Sequence, residues 1–570
     1  MTTDAPTDAA PQPQPRSWAV PPNRRVECDP AEQAARAAAD PARPRWHVTP
    51  PWGWLNDPNG LSVWPGPDGA PLVHLFYQHN SHAPVHERIE WGHQYSADLI
   101  HWHDLPIALR PGDDADSASA GPDADGCWSG IIVADEHVDA SGKRVTVPTM
   151  IYSGASSRAT QTCCLATAVP GDPLLTHWVK EAANPVIDAA PASTAGLVVP
   201  EMRDHSAWRE NGRWYQVMGS GIPGAGRDGA QAGAALCFSS EDLRTWTYEG
   251  PLASGDGDVA GTGSVWECPE LVRLGDSDIL FVSAWHNSRT LRSMWMTGQR
   301  SGTRMELGLT GRSDLGENYF YAPQSVLLPD GRRVSIGWMQ PNADREQRLA
   351  AGWAGSMCIP REVSLADDGT VRFAPIAEVE TLRRDKLLDL TDGDASTGTS
   401  GNGATTGDGQ QGAVLRAQLK GNSLDLVLTG TLTDGVVTLD LGVSDDGARR
   451  TRLQLVRRTP TGSAGQAAWT GWLRLDRSAS AAPGAPWAGP DLRELAGPVP
   501  LGEDGAVHLR VLLDHSSLEV FVNGQPLSAR LGVAPGDDGV VVDARALQSA
   551  RLEAWTMADA YAERLDPAGV

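Results

Sequence analysis

From about residue 45 to 375 the apolar positions fall in short runs such as Leu72-Val73-His74-Leu75-Phe76-Tyr77 and Ile279-Leu280-Phe281-Val282, cut repeatedly by Gly, Pro, Asn and Asp. Helical periodicity is almost absent, so this region is predicted to be all-β. Pieces of it echo one another: Ala97-Asp98-Leu99-Ile100-His101-Trp102 resembles Ser240-Glu241-Asp242-Leu243-Arg244-Thr245-Trp246. Past a polar, Gly-rich stretch at 391–412, alternating runs such as Ser423-Leu424-Asp425-Leu426-Val427-Leu428 and Val507-His508-Leu509-Arg510-Val511-Leu512-Leu513 predict a β-sandwich. The expected division is a polar arm over 1–44 with an Ala-rich helical stretch near Pro30–Ala39, a β domain over 45–380, a linker over 381–412 and a sandwich over 413–560.

Five chemically loaded positions, Asp57, Ser129, Asp204, Glu267 and Pro323, are separated by 72, 75, 63 and 56 residues. Each interval has the length of one four-stranded blade, and five blades make a propeller whose inner strands surround one funnel. Asp57 lies in Trp54-Leu55-Asn56-Asp57-Pro58-Asn59-Gly60. Pro58 removes a ladder donor and Asn59-Gly60 is a tight-turn dipeptide, which places the carboxylate at a strand end among indole rings. Hydrolysis of a glycosidic bond needs a second carboxyl group to protonate the leaving oxygen. Val265-Trp266-Glu267-Cys268-Pro269-Glu270-Leu271 offers Glu267, with Trp266 and Cys268 expected to desolvate it, and Glu201-Met202-Arg203-Asp204-His205 adds a third acid. Taken singly, these strings also read as a surface turn, a buried Glu paired to an Arg and a plain Arg-Asp salt bridge.

Together, in this order, they resemble the signature of glycoside hydrolase family 32, the invertases, levanases, inulinases and exo-fructosidases, over roughly residues 45–560. The resemblance implies a five-bladed β-propeller followed by a C-terminal β-sandwich, to whose module Asp514-His515-Ser516-Ser517-Leu518-Glu519 is similar. It implies that Asp57 is the nucleophile, Glu267 the general acid/base and Asp204 a transition-state stabiliser that binds two sugar hydroxyls. Similarity of the flanking strings implies a binding shell of Asn56, Gln78, Trp91, Trp128, Ser129, Arg203 and Trp338, with His205, Cys268 and Tyr321 as further candidates. Trp128 stands where the family's motif has Phe. His205 replaces the family's Pro and is a possible donor at the pocket edge. The implied activity is cofactor-free, retaining release of terminal β-D-fructosyl units from sucrose or short fructo-oligosaccharides. A fructosyltransferase using the same intermediate is the alternative, and a non-catalytic fructan-binding propeller is disfavoured because all three carboxylates are present.

Composition narrows the partners. A formal net charge of -24 argues against nucleic acid. Twenty-one Trp against six Phe supply flat faces suited to sugar rings as well as to a core. Seven Cys show neither metal spacing nor a disulfide framework, and the His-rich stretch from His74 to His103 lacks a zinc pattern, so no metal is expected. Met1 to Pro15 is acidic and Pro-rich without an apolar core, unlike a signal peptide or anchor. The expectation is a cytoplasmic protein, monomer or homodimer, with a small sugar as partner and no membrane, and long extracellular fructans are disfavoured.

Overall fold

The structure, a computed structural model, describes residues 26–569 apart from 113–120, 139–140, 158–159, 200, 392–404, 407–414, 459–469, 482–486, 488, 490, 533 and 535. Five antiparallel sheets, each built on four strands, follow one another along the chain. Their opening strands are Gly53–Pro65, Gly126–Val138, Met202–Glu210, Val265–Leu274 and Tyr321–Leu327. These five strands contact one another in a ring, so each is the inner strand of a propeller blade. Asp57, Ser129, Asp204, Glu267 and Pro323 lie one on each, which is the basis of their spacing in sequence.

The echoed strings are the same device built twice. Asp98 accepts from the backbone N–H of Ile100 (3.0 Å) and His101 (2.8 Å), as Asp242 does from Arg244 (2.9 Å) and Thr245 (2.7 Å). Trp102 and Trp246 each donate their indole N–H to the carbonyl three residues earlier, that of Leu99 and of Leu243. The ring is closed by Trp353–Ala354, which leaves the fifth blade and pairs in parallel with Gly53 and Trp54 of the first. Gly352, at φ +76°, makes that exit possible by ending the helix Arg345–Ala351 in the left-handed region.

A six-stranded and a seven-stranded sheet form the C-terminal sandwich, with Leu424, Leu426 and Leu428 buried together with Leu439, Leu453 and Leu473 between them. It meets the propeller through fully buried charges. His47 lies 2.8 Å from Asp514 and 3.1 Å from Glu519, while Arg361 pairs with Asp314 at 2.8 Å and Glu519 at 2.5 Å. No charge of this network is left unpaired, as burial requires.

Two boundaries differ from the sequence reading. Arg383–Thr391, placed in the linker, is a strand of the six-stranded sheet paired with Leu547–Met557. Its apolar pattern is weak because it lies at the sheet's edge. Ion pairs from Lys386 to Glu553 (2.8 Å) and Arg383 to Asp425 (2.7 Å) hold it. The remaining linker, 392–404 and 407–414, lies outside the described residues, apart from a two-residue strand at Thr405–Thr406. Residues 26–44 are packed rather than an arm: Asp29 caps the helix Pro30–Ala39, and Ala37 is buried with Trp353 and Trp487. Residues 1–25 lie outside the described residues. All seven thiols are unpaired. No helix among the described residues is long and apolar enough to cross a membrane.

Candidate active site

A cavity of about 800 Å³ opens at one end of the ring. Asp57, Asp204 and Glu267 line it, together with Arg203, Tyr321 and tryptophans of four blades. Backbone irregularity aims the acids inward. The strand register slips between Leu55 and Pro58, opposite Asp204, and between Glu267 and Glu270. Asp204 (φ +61°), Cys268 (φ +45°) and Ala322 (φ +49°) hold left-handed conformations that ordinary strands avoid. The third and fourth blades approach closely enough that a Cβ on Gly219 would stand 2.3 Å from the Trp266 carbonyl, so glycine is required there.

Asp57 accepts from Ser129 Oγ at 2.8 Å and Gln78 Nε2 at 3.1 Å, and Gln78 also bonds Ser129, tying first blade to second. Burial, then the nearby Glu267 carboxylate, pushes the Asp57 carboxyl up to about 6 against the pull of Ser129, Asn56 and Arg203. Asp204 accepts from the Cys268 backbone N–H at 3.1 Å while its own N–H donates to Ser153 at 2.8 Å. Burial drives Asp204 upward, Arg203 opposes this, and Glu267 and Asp57 add to it. Glu267 is gripped from two sides: Arg203 donates to Oε1 through Nη2 (2.6 Å) and Nε (3.1 Å), and the Tyr321 hydroxyl donates to Oε2 at 2.5 Å. Burial alone would lower Arg203, but Glu267, Glu201 and Asp204 outweigh it and hold the guanidinium charged.

An aromatic arc faces these charges. Trp54 stands edge-on to Trp338 (5.8 Å) and His86 (6.1 Å), and His86 edge-on to Trp128 (6.2 Å). Asn56 accepts the Trp54 indole N–H at 2.6 Å. Apolar ring faces opposite a polar wall suit a sugar, which has C–H and hydroxyl sides.

Not every residue singled out by sequence reaches the cavity. Trp91 is fully buried between the first and second blades and donates to the Trp128 carbonyl at 3.2 Å. Ser129 acts from behind, through Asp57. Cys268 lies beneath the acids, its sulfur 3.9 Å from Asp57, and burial raises its thiol well above the ordinary range. His205 is a correction: adjacent positions of a strand face opposite ways, so the inward turn of Asp204 sends the imidazole into the blade, where Nδ1 meets Gln216 at 3.0 Å and burial lowers it to about 4. It does not line the cavity. Trp266 likewise points into the blade, donating to the Thr262 carbonyl, so Arg203 and Tyr321, rather than Trp266, surround the Glu267 carboxyl. Missed were Trp285, whose ring lies 5.6 Å from the Arg203 guanidinium, and Asp491 and Arg493 of the sandwich. Asp491 and Arg493 have no motif around them and only the domain packing brings them to the rim, whereas Trp285 stands on the propeller strand Ser277–His286.

The model of the glycosyl hydrolases family 32 N-terminal domain matches residues 47–375. The chain belongs to this family. The C-terminal model of family 32 matches residues 378–530. Among family 32 relatives, a sucrose-6-phosphate hydrolase of Escherichia coli is 34% identical over 60% of this chain and 66% of its own length. A raffinose invertase of Escherichia coli is 31% identical over 60% of this chain and 66% of its own. The chain thus spans about two thirds of the length of the curated relatives it matches. Fructan 1-exohydrolase IIa of Cichorium intybus in complex with 1-kestose superposes with a TM-score of 0.70 at 21% identity, covering 92% of this chain and 98% of that one. A family 32 β-fructofuranosidase of Bombyx mori gives 0.67 at 24%, covering 94% and 97%. At such identities these structures establish the fold: a five-bladed propeller with a C-terminal sandwich.

Proposed function

We propose that this family 32 protein is a retaining β-fructofuranosidase that releases terminal β-D-fructosyl units from sucrose or short fructo-oligosaccharides. The observation that carries the reading is the convergence of Asp57, Asp204 and Glu267 on one end of the cavity with a single guanidinium, that of Arg203, among them. Asp57, oriented by Ser129 and Gln78, attacks C2 of the fructosyl unit. Glu267, oriented by Tyr321, protonates the departing oxygen and then takes a proton from the water that frees fructose. Asp204 binds ring hydroxyls and steadies the positive charge of the transition state. Burial and the neighbouring carboxylates raise Asp57 and Asp204 above the usual carboxylate range against the pull of Arg203. In this reading the propeller, residues 45–380, carries the chemistry, and the sandwich that begins near residue 383 flanks it.

Relatives bearing the names sucrose-6-phosphate hydrolase and raffinose invertase support a fructoside substrate. The deciding experiment is a fructose-release panel over sucrose, sucrose 6-phosphate, a kestose-type trisaccharide, inulin and levan. Release from sucrose or the trisaccharide is expected, and release from none of the five would refute the reading. Product analysis at high sucrose separates hydrolysis from transfer to a second sugar.

A further inference from the structure

The cavity is not made by the propeller alone. Asp491 and Arg493 reach its rim from the segment joining the sandwich strands Gly471–Ala479 and Leu495–Val499. Its described residues are fastened to the propeller and to the N-terminal segment at several points. The Trp487 ring packs 4.5 Å from Trp353 and its N–H donates to Asp40 at 2.9 Å. Gly489 N–H donates to the Asn342 carbonyl at 2.9 Å, an approach so close that a Cβ on Gly489 would lie 2.3 Å from that oxygen. Asn342 in turn donates to the Asp491 carbonyl at 2.9 Å. Beneath the rim, the fully buried Arg477 donates to the Arg493 carbonyl (3.2 Å) and to the Tyr319 hydroxyl (3.1 Å), so one sandwich guanidinium positions a rim residue from each domain.

These anchors leave a continuous polar edge. Arg493 donates to Asn318 Oδ1 at 2.8 Å, Asn318 to Gln340 Oε1 at 3.2 Å, and Gln340 to Thr290 Oγ1 at 2.7 Å. All four side chains border the cavity. Arg493 also faces two carboxylates, Asp491 at 3.0 Å and Glu317 at 3.2 Å, so it brings N–H donors to the rim more than unbalanced charge. Its side chain remains 49% exposed, which leaves a face free to meet a ligand. The acids that handle the fructosyl ring lie on the inner strands, whereas Asn318, Gln340 and Arg493 lie on connecting segments farther along the chain and Thr290 at the start of the strand Arg289–Ser301.

We infer that the sandwich segment bearing Asp491 and Arg493 completes a leaving-group subsite, in which the edge from Arg493 through Asn318 to Gln340 binds the hydroxyls of the neutral sugar attached to the fructosyl unit. The inference rests on the fructosidase reading and adds that the sandwich helps set substrate preference.

The test compares the full chain with Arg493→Ala and Asn318→Ala on three substrates: sucrose, sucrose 6-phosphate, and methyl β-D-fructofuranoside, whose leaving group has no hydroxyl to reach the rim. Asn318 belongs to the propeller, so its variant keeps the test informative if loss of Arg493 loosens the domain contact, and melting temperatures report any such loosening. Each variant is expected to raise KM and lower kcat/KM for sucrose roughly tenfold, the scale of a lost hydrogen bond to a charged or preorganised group. The methyl glycoside should change less than about twofold, since it forms no such bond. Equal losses on sucrose and the methyl glycoside, or no loss on either, would overturn the inference while leaving the fructosidase reading standing. A much larger loss on sucrose 6-phosphate than on sucrose would also overturn it, because the edge would then be reading an anion. Failure of the unmodified chain to cleave any of the three would instead refute the underlying reading.

Discussion

Arg203 Nη2 lies 2.6 Å from Glu267 Oε1, so the acid assigned to proton transfer shares its oxygen with a buried guanidinium that also sits 4.0 Å from Asp204. This contact joins the third and fourth blades at the cavity and makes the three carboxyls one electrostatic unit. Removing the cation leaves those charges to repel in a low-dielectric pocket.

Arg203→Ala is therefore expected to move the acid limb of the kcat/KM profile upward. Asp57 stands at about 6 with Arg203 among the groups lowering it, and loss of that charge raises the cluster further. An ionised nucleophile is needed, so activity in the native enzyme should fall as pH drops through about 6 and in the variant at higher pH. The check is kcat/KM for sucrose from pH 4 to 8, and an unmoved limb would contradict the assignment.

Asp57→Asn should melt at a higher temperature than the native chain at pH 7. The folded-state pKa of Asp57 lies above its ordinary 3.8, so the unfolded chain releases this proton first, and stability declines as pH rises from about 4 to about 6. Below pH 4 the two should converge. Equal melting at both pH values would show that the site carries no such cost.

The domain contact should weaken at both ends of the pH range, in the same sense as Asp57 at its upper edge and in the opposite sense at its lower edge. Burial alone would lower His47, but Asp514 and Glu519 outweigh it and raise it above 6.5. That stabilisation is complete below the unfolded value and is lost as pH rises through the folded one. Asp514 and Glu519 are held below their ordinary 3.8 and 4.5, and their contribution is lost as pH falls under that range. Breaking so buried a pair costs roughly 3–5 kcal/mol, so His47→Ala should lower the melting temperature markedly at pH 6 and by less at alkaline pH. Calorimetry of both proteins across pH 4 to 10 checks this.

His205→Ala should cost stability, about 1–3 kcal/mol for the unpaired Gln216 and the lost packing, and leave KM and the profile between pH 5 and 8 unchanged. The native imidazole, lowered to about 4, is neutral throughout that range. A changed KM would mean that the ring reaches the sugar after all.

The propeller was legible in the chain because its signals are local: an Asp turn closed by a Trp four residues on, and one chemically loaded residue on each inner strand at blade-length spacing. Asp57, Asp204 and Glu267 were legible as candidates because they sit in dense strings. Direction was not. Asp204 and His205 are neighbours in sequence, and only the bulge and the left-handed backbone at Asp204 decide which one sees the cavity. The edge strand Arg383–Thr391 was hidden by its exposed, charged face. Asp491 and Arg493 had no local signal, since their place at the rim follows from how the sandwich packs on the propeller.

The central claim is that Asp57 and Glu267 divide the chemistry between attack and proton transfer. The most direct measurement is the initial rate of Asp57→Asn and Glu267→Gln on sucrose and on an aryl β-fructofuranoside, whose leaving group needs little protonation. Both variants should lose about 10²–10⁴-fold or more on sucrose while remaining folded. Glu267→Gln should recover partly on the aryl glycoside and Asp57→Asn should not. Near-native cleavage of sucrose by either variant, or recovery by Asp57→Asn, would contradict the account.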